Sequence, residues 1–170
     1  MIQTKRHLLV EIEDKDIHHI FEGLGNPEMT KYYGVHFDSL EATKEQMQWY
    51  RNLIDKREGI WWKIIRIKTG HFVGAVGFND WDHEKKEAEI GVWILPKFQR
   101  KGRMPEVMKA AINYGFDRME LERIVAFVES ENLACKKGLK KVKMIHIKTE
   151  ERAEQKNEKW IDIDAYQIVK

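Results

Sequence analysis

The run Gln99-Arg100-Lys101-Gly102-Arg103-Met104 groups basic side chains around one glycine, directly after an apolar stretch and directly before a proline. From Ile90 to Leu95 every residue is apolar or glycine, which reads as a buried strand. Pro105 suits the first turn of a helix, where its missing N–H costs least. A short loop between a strand and a helix start points backbone N–H groups outward, and the helix dipole favours an anion above them. Arg100, Lys101 and Arg103 are read as mobile positive charge beside those amides. The pattern is suited to a phosphate or pyrophosphate.

Other chemistry-bearing residues give less specific signals. The seven histidines show no metal-ligand spacing, and His83-Glu84-Lys85-Lys86-Glu87 lacks the second histidine of a zinc-protease motif, so no metal is expected. Cys135 is the only cysteine, which precludes an internal disulfide and fits a reducing compartment. By itself it reads as a small helix residue packed on a sheet. The cluster Lys136, Lys137, Lys140, Lys141 and Lys143 reads as a solvated helix face without interleaved aromatics, a weak basis for nucleic-acid binding.

The elements that must position these residues follow from periodicity. Strands are expected at Leu8–Ile12, Trp61–Ile67, Phe72–Phe78, Glu87–Leu95, Arg123–Val128, Met144–Lys148 and Trp160–Val169. Helices are expected from Asp14 or Asp16 to Gly23 or Gly25, from Ser39 past Ile54, from Pro105 to about Met119, and over Asn132–Val142. Asn26-Pro27 opens a loop carrying Tyr32 and Tyr33, and Trp81 falls in a polar loop between Asn79 and Lys86. The order β-α-α-β-β-β-α-β-α-β-β gives a mixed α/β sheet whose single crossover helix joins parallel strands. At 170 residues, without linker or repeat, a single domain over residues 1–170 is expected. The 30 basic and 28 acidic residues nearly cancel, no apolar run approaches membrane-spanning length, and the N-terminus lacks a signal-peptide pattern. A soluble cytoplasmic protein is expected.

Element order and motifs together resemble the GNAT superfamily of acyl-CoA-dependent N-acyltransferases, and within it the branch of bacterial ribosomal-protein N-terminal acetyltransferases. The resemblance covers essentially the whole chain. Its carriers are Thr4-Lys5-Arg6-His7-Leu8, then Ala88-Glu89-Ile90-Gly91-Val92-Trp93 with Gln99-Arg100-Lys101-Gly102-Arg103-Met104, then Glu131-Asn132 through Lys141. It implies a mostly antiparallel sheet flanked by helices and splayed between its fourth and fifth strands. It implies acetyl-CoA as cosubstrate, its pantetheine arm paired with freed backbone of Trp93, Ile94 and Leu95 and its pyrophosphate on the amides of Arg100 to Met104. Asn132 matches the family residue that helps hold the arm. Glu89 matches a carboxylate that serves some members as base. Cys135 stands where the family usually has serine, and the implied thioester chemistry gives it an alternative role as proton donor to the departing thiolate, since free thiols share a pKa of about 8.5. Tyr32, Tyr33 and Trp81 fall in segments that wall the acceptor site. Met104 stands where a small residue is usual and would crowd the pyrophosphate unless it points into the core.

The implied activity is acetylation of a primary amine, such as the N-terminal α-amine of a ribosomal protein. An α-amine with pKa about 7.7 is about one-sixth neutral at pH 7, whereas a lysine at about 10.4 is well under 0.1% neutral. An α-amine therefore needs less help from a base. The alternatives are a catalytically weak acyl-CoA sensor or assembly module of the same fold, and a ribosome- or RNA-associated binder using the lysine-rich helix. The oligomeric state is open, a homodimer included.

Overall fold

The computed structural model describes residues 1–170. Its centre is an eight-stranded sheet in the order β1-β2-β3-β4-β5-β6-β8-β7, with strands β1 (Ile2–Gln3), β2 (His7–Glu11), β3 (Ile60–Arg66), β4 (Phe72–Asp82), β5 (Glu87–Ile94), β6 (Arg123–Glu129), β7 (Ile145–Lys156) and β8 (Lys159–Val169). Five helices flank it: α1 (Ile17–Leu24), α2 (Pro27–Thr30), α3 (Leu40–Asp55), α4 (Arg103–Arg118) and α5 (Leu133–Lys141). No helix is long and apolar enough to cross a membrane.

Local chemistry sets the helix starts. Ser39 Oγ accepts from Ala42 N and Asn26 Oδ1 accepts from Glu28 N, each capping an orphan donor of the following helix. The expected loop after Asn26 thus contains the short helix α2. Helix α4 opens at Arg103 rather than Pro105. Gly102 takes a left-handed conformation (φ 67°) that turns the chain into the helix, and Pro105 falls within the first turn, where N–H groups lack partners anyway.

Strand β4 is buried from Phe72 to Phe78, as a central strand packed on both faces must be. One core lies under α4 and α5 and includes Ile64, Val76, Phe78, Met108, Ile124 and Leu139. The other lies under α1 and α3 and includes Ile20, Met47, Tyr50, Trp61, Phe72 and Trp93. Gly23 of α1 sits against the Trp93 indole so closely that a Cβ would come within 2.2 Å of the ring.

Strand pairing is antiparallel except between β5 and β6, which run parallel and are joined through α4. They pair only at Glu87↔Arg123, Ala88↔Ile124 and Glu89↔Val125. Beyond Glu89 the strands separate, while β5 stays paired with β4 up to Gly74↔Ile94. The separation lies between the strands corresponding to the fourth and fifth of the sequence reading. Strand β4 continues through Asp82, so Trp81 lies on a strand and not in a loop.

Candidate active site

The fork between β5 and β6 opens into a cavity of about 750 Å³. Met108 of α4, Asn132 and the α5 residues Cys135 and Leu139 line one part of it, and Tyr32, Tyr33 and Trp49 line another. Its backbone edge is set by strand register. Leu95 N donates to Val73 O at 2.9 Å, which places Trp93, Gly91 and Glu89 in hydrogen-bonded phase with β4. The N–H and C=O groups that turn toward the departed β6 therefore belong to the alternate residues, Val92 and Ile94, with Ile90 at the fork. This shifts the expectation for Trp93 and Leu95 by one residue. The backbone of Trp93 faces β4, and Leu95 is occupied by Val73 and, through its carbonyl, by Phe98 N. The Trp93 side chain is core. Ile94 keeps a free N–H, while its carbonyl accepts from Gln99 Nε2 at 2.8 Å.

The basic loop ends this strand. Arg100 and Gly102 both have left-handed backbone (φ 63° and 67°), and Lys101 between them does not. Such alternation forms a concave nest of N–H groups suited to an anion. The loop carbonyls are tied down: that of Phe98 by Arg103 Nη1 at 3.0 Å, those of Lys101 and Gly102 by Arg6 at 3.0 and 3.1 Å. The amides of Arg100, Lys101 and Gly102 donate to no protein group. Orphan donors and a nest fit a phosphate or pyrophosphate. Arg100 and Lys101 are exposed. Arg103 is not the mobile cation the sequence suggested: its guanidinium folds inward over the Phe98 ring and the residue is buried. Met104 also turns away from the loop, against Gly138 of α5, where a Cβ would come within 2.9 Å of Met104 Cε. Its bulk lies between two helices, where the nest is not crowded.

At the fork, Glu89 faces the cavity with Asn79 beside it. Burial, then the neighbouring Asp80 carboxylate and its hydrogen bond, push the Glu89 carboxyl up to about 7, against a smaller opposing hydrogen bond from Asn79. Trp61 lies across Gly91 and Gly77 on the same face of the sheet, where Cβ atoms would meet its indole ring at 2.6 and 2.4 Å. Tyr33 packs next to Glu89 and Tyr50, and burial raises its phenol well above the ordinary value. Across the fork, Asn132 caps α5, its Oδ1 accepting from Cys135 N at 3.2 Å, and its side-chain NH₂ has no protein partner. Cys135 is half-buried, and burial pushes its thiol up to about 11.

The fork therefore brings together Glu89, Cys135, Asn132, Tyr32 and Tyr33, with the nest at the end of β5. It does not include Trp81. That indole faces a neighbouring depression with Trp49, Leu53 and Glu58 and packs on the His83 ring at 4.1 Å, because β4 carries it past the cavity mouth.

Sequence reasoning missed several participants. Lys156 Nζ, at the end of β7, reaches the carbonyls of Lys31 (2.8 Å) and Tyr33 (3.1 Å) and Glu129 Oε1 (2.8 Å). It fastens the segment that carries both tyrosines. The cavity wall also includes Glu45, Glu129, Glu150 and Glu154 besides Glu89, and no Lys, Arg or His. These carboxylates come from α3, β5, β6 and β7, so no sequence window contains them. Lys136, read as part of a solvated face, is instead bound to the buried Asp164 at 2.5 Å.

Comparison with known proteins agrees with this fold. The crystal structure of spermidine N-acetyltransferase from Vibrio cholerae in complex with CoA and spermine superposes with a TM-score of 0.86, covering 96% of this chain and 95% of that one at 18% identity. A ribosomal L7/L12 α-N-protein acetyltransferase, RimL, crystallised with coenzyme A in disulfide linkage to a cysteine, gives 0.88 over 98% and 95% at 19% identity. In sequence, the uncharacterized N-acetyltransferase YoaA of Bacillus subtilis (strain 168) is 34% identical over 143 residues, which are 84% of this chain and 81% of YoaA. The family described as acetyltransferase (GNAT) domain matches residues 6–145. With a forked sheet, a nest at the end of β5 and a family match over most of its length, the chain belongs to the GNAT acetyltransferases.

Proposed function

We propose that this protein transfers the acetyl group of acetyl-CoA to a primary amine, with Glu89 as the base. The observation that carries the reading is the Glu89 side chain facing the cavity at the point where β5 and β6 part, where burial and Asp80 raise its carboxyl to about 7. A base of that pKa is half ionised at neutrality, near the optimum for accepting a proton at that pH. The pantetheine arm runs along Val92 and Ile94 as a substitute strand, the Asn132 NH₂ supports it, and the pyrophosphate sits on the nest from Arg100 to Met104. The amine nitrogen attacks the thioester carbonyl carbon. Its proton passes to Glu89, directly or through water. The C–N bond forms, the C–S bond breaks, and the thiolate takes a proton from solvent; the Cys135 thiol, pushed up to about 11, no longer matches a departing thiolate of about 8.5 and holds its own proton. A backbone N–H of β5 at the fork stabilises the oxyanion.

The acceptor is a primary amine. The N-terminal α-amine of a protein, such as a ribosomal protein, requires the least help from a base of this strength. A second reading, a polyamine of the spermidine class, is favoured by the acidic side chains of the cavity wall, Glu45, Glu150 and Glu154 beside Glu89, with Glu129 already paired to Lys156. The Met104 side chain, packed on Gly138, removes one reason for a catalytically inactive sensor. Mass spectrometry of α-amine peptides, lysine peptides and polyamines incubated with protein and acetyl-CoA tests both readings. Acetylation of none of them, together with stabilisation by acetyl-CoA, would return the sensor. Ligand at 100 times Kd raises stability by about 2.7 kcal/mol.

A further inference from the structure

The nest that faces the anion has strained, left-handed backbone at a non-glycine residue, Arg100. Such a conformation persists only where its surroundings impose it. The two peptide units that follow Arg100 are held from the other end of the chain. Arg6, between β1 and β2, sends Nη1 to the Lys101 carbonyl (3.0 Å) and Nη2 to the Gly102 carbonyl (3.1 Å). Its Nε donates to Glu106 Oε2 at 2.5 Å on the first turn of α4. Glu106 is in turn held by Thr4 Oγ1 (2.7 Å), the Arg6 N–H (2.9 Å) and His7 Nδ1 (3.3 Å). One planar guanidinium thus joins two successive loop carbonyls to the helix that follows them. A carbonyl fixed on one side of a peptide unit fixes the next N–H on the other side. Holding the Lys101 and Gly102 carbonyls therefore aims the amides of Gly102 and Arg103.

We infer that Arg6 is a positioning residue for the cosubstrate: its fork holds the loop so that the amides face the pyrophosphate. The inference rests on the reading that this loop takes the pyrophosphate. The geometry requires a fork, because a lysine ammonium is a point charge and does not hold two carbonyls and a carboxylate in one plane. Displacement of a bound group by about 1 Å costs on the order of 10²-fold in rate. Loss of Arg6 should therefore be felt by donors that carry the pyrophosphate and not by donors that lack it.

The test compares kcat/KM for acetyl-CoA with that for S-acetylpantetheine, using one acceptor amine, in wild type, Arg6→Gln and Arg6→Lys. Wild type should strongly prefer acetyl-CoA. Both variants should lose at least about tenfold of that preference, through KM for acetyl-CoA, with S-acetylpantetheine turnover unchanged. The Arg6 side chain is 43% exposed, so both variants should fold. Full preference retained in Arg6→Lys would overturn the inference and leave only charge attraction. Equal loss for both donors with a lower Tm would also overturn it, making Arg6 a general structural residue. A wild type that does not distinguish the donors would instead refute the pyrophosphate reading itself.

Discussion

Glu89 is placed by the sheet so that its protonation opposes its use. Its folded value of about 7 lies above the ordinary 4.5, so the native state keeps a proton that the unfolded chain releases between them. The stability tied to that proton is fully present below about pH 4.5 and is lost as pH rises through about 7. With Glu89 as the proposed base, activity should rise over the same upper range. Glu89→Gln is expected to lower turnover by about 10²–10⁴-fold near neutrality, with acetyl-CoA affinity unchanged and a loss that shrinks as pH approaches the acceptor pKa. Pre-steady-state rates measured from pH 5 to 9 check this, and Tm over the same range should fall less with pH in the variant than in wild type. Weakened cofactor binding with a pH-independent rate loss would assign Glu89 a structural role. Cys135, with a thiol pushed up to about 11, remains protonated and unsuited to nucleophilic attack. Cys135→Ser should retain at least about a tenth of the activity, within the loss expected for a non-essential acid, and intact-mass spectra should show no acyl-enzyme. Both residues are readable from sequence position in a resembling motif, but neither pKa is, because burial and the Asp80 neighbour arise only in the fold.

At the level of elements, the β5–loop–α4 unit depends on one glycine and the β5–α1 contact on another. Gly102 is left-handed, and a Cβ there meets only Arg6 Nη2 at 3.8 Å, so a side chain finds room but strained backbone. Gly102→Glu is expected to fold and to lose acetyl-CoA binding, because it places negative charge beside the nest and competes for Arg6. Calorimetry with coenzyme A measures this, and unchanged affinity would refute the pyrophosphate site. Gly23→Ala tests the other contact. Alanine is the better helix former, yet its Cβ would lie 2.2–2.9 Å from three atoms of the Trp93 ring. Overpacking should win and destabilise by about 1–3 kcal/mol, visible as a lower denaturant midpoint. The strand–loop–helix order was legible because the apolar run Ile90–Leu95, the single Gly102 and Pro105 are local signals. The phase of β5 was not: whether Val92 or Trp93 faces the fork depends on register with β4, and alternation along one strand does not specify it.

Across the whole molecule, two carboxylates tie distant segments together. Burial alone would raise Asp164, but hydrogen bonds from Lys136, Thr149 and Ser130 outweigh it and hold it at about 2, joining α5, β7 and β8. Burial likewise opposes Glu106, and Thr4, Arg6 and His7 outweigh it to hold it at about 2, joining the N-terminus to α4. Both values lie below the ordinary 3.8 and 4.5, so the stability these groups contribute is present above about pH 4.5 and lost as pH falls toward 2. Acid unfolding should begin below about pH 4.5, and Asp164→Asn should have lower stability at pH 7 with a shallower decline into acid. Circular dichroism melts from pH 7 to 2.5 measure both, and an identical acid slope in the variant would remove Asp164 from the explanation.

The sequence by itself determined the order of the longer elements and, through resembling motifs, the family, because these signals lie within a few residues of one another; the two-residue strand β1 and the short helix α2 were too brief to show a period. Tertiary structure alone decided what converges on the fork. It turned Arg103 and Met104 inward, carried Trp81 past the cavity, brought Arg6 onto the loop from almost 100 residues away, and gathered carboxylates from four elements into one wall. Each outcome is fixed by sheet register and by which face of a helix meets the sheet. Those are properties of pairing between distant segments, and a local pattern does not contain them.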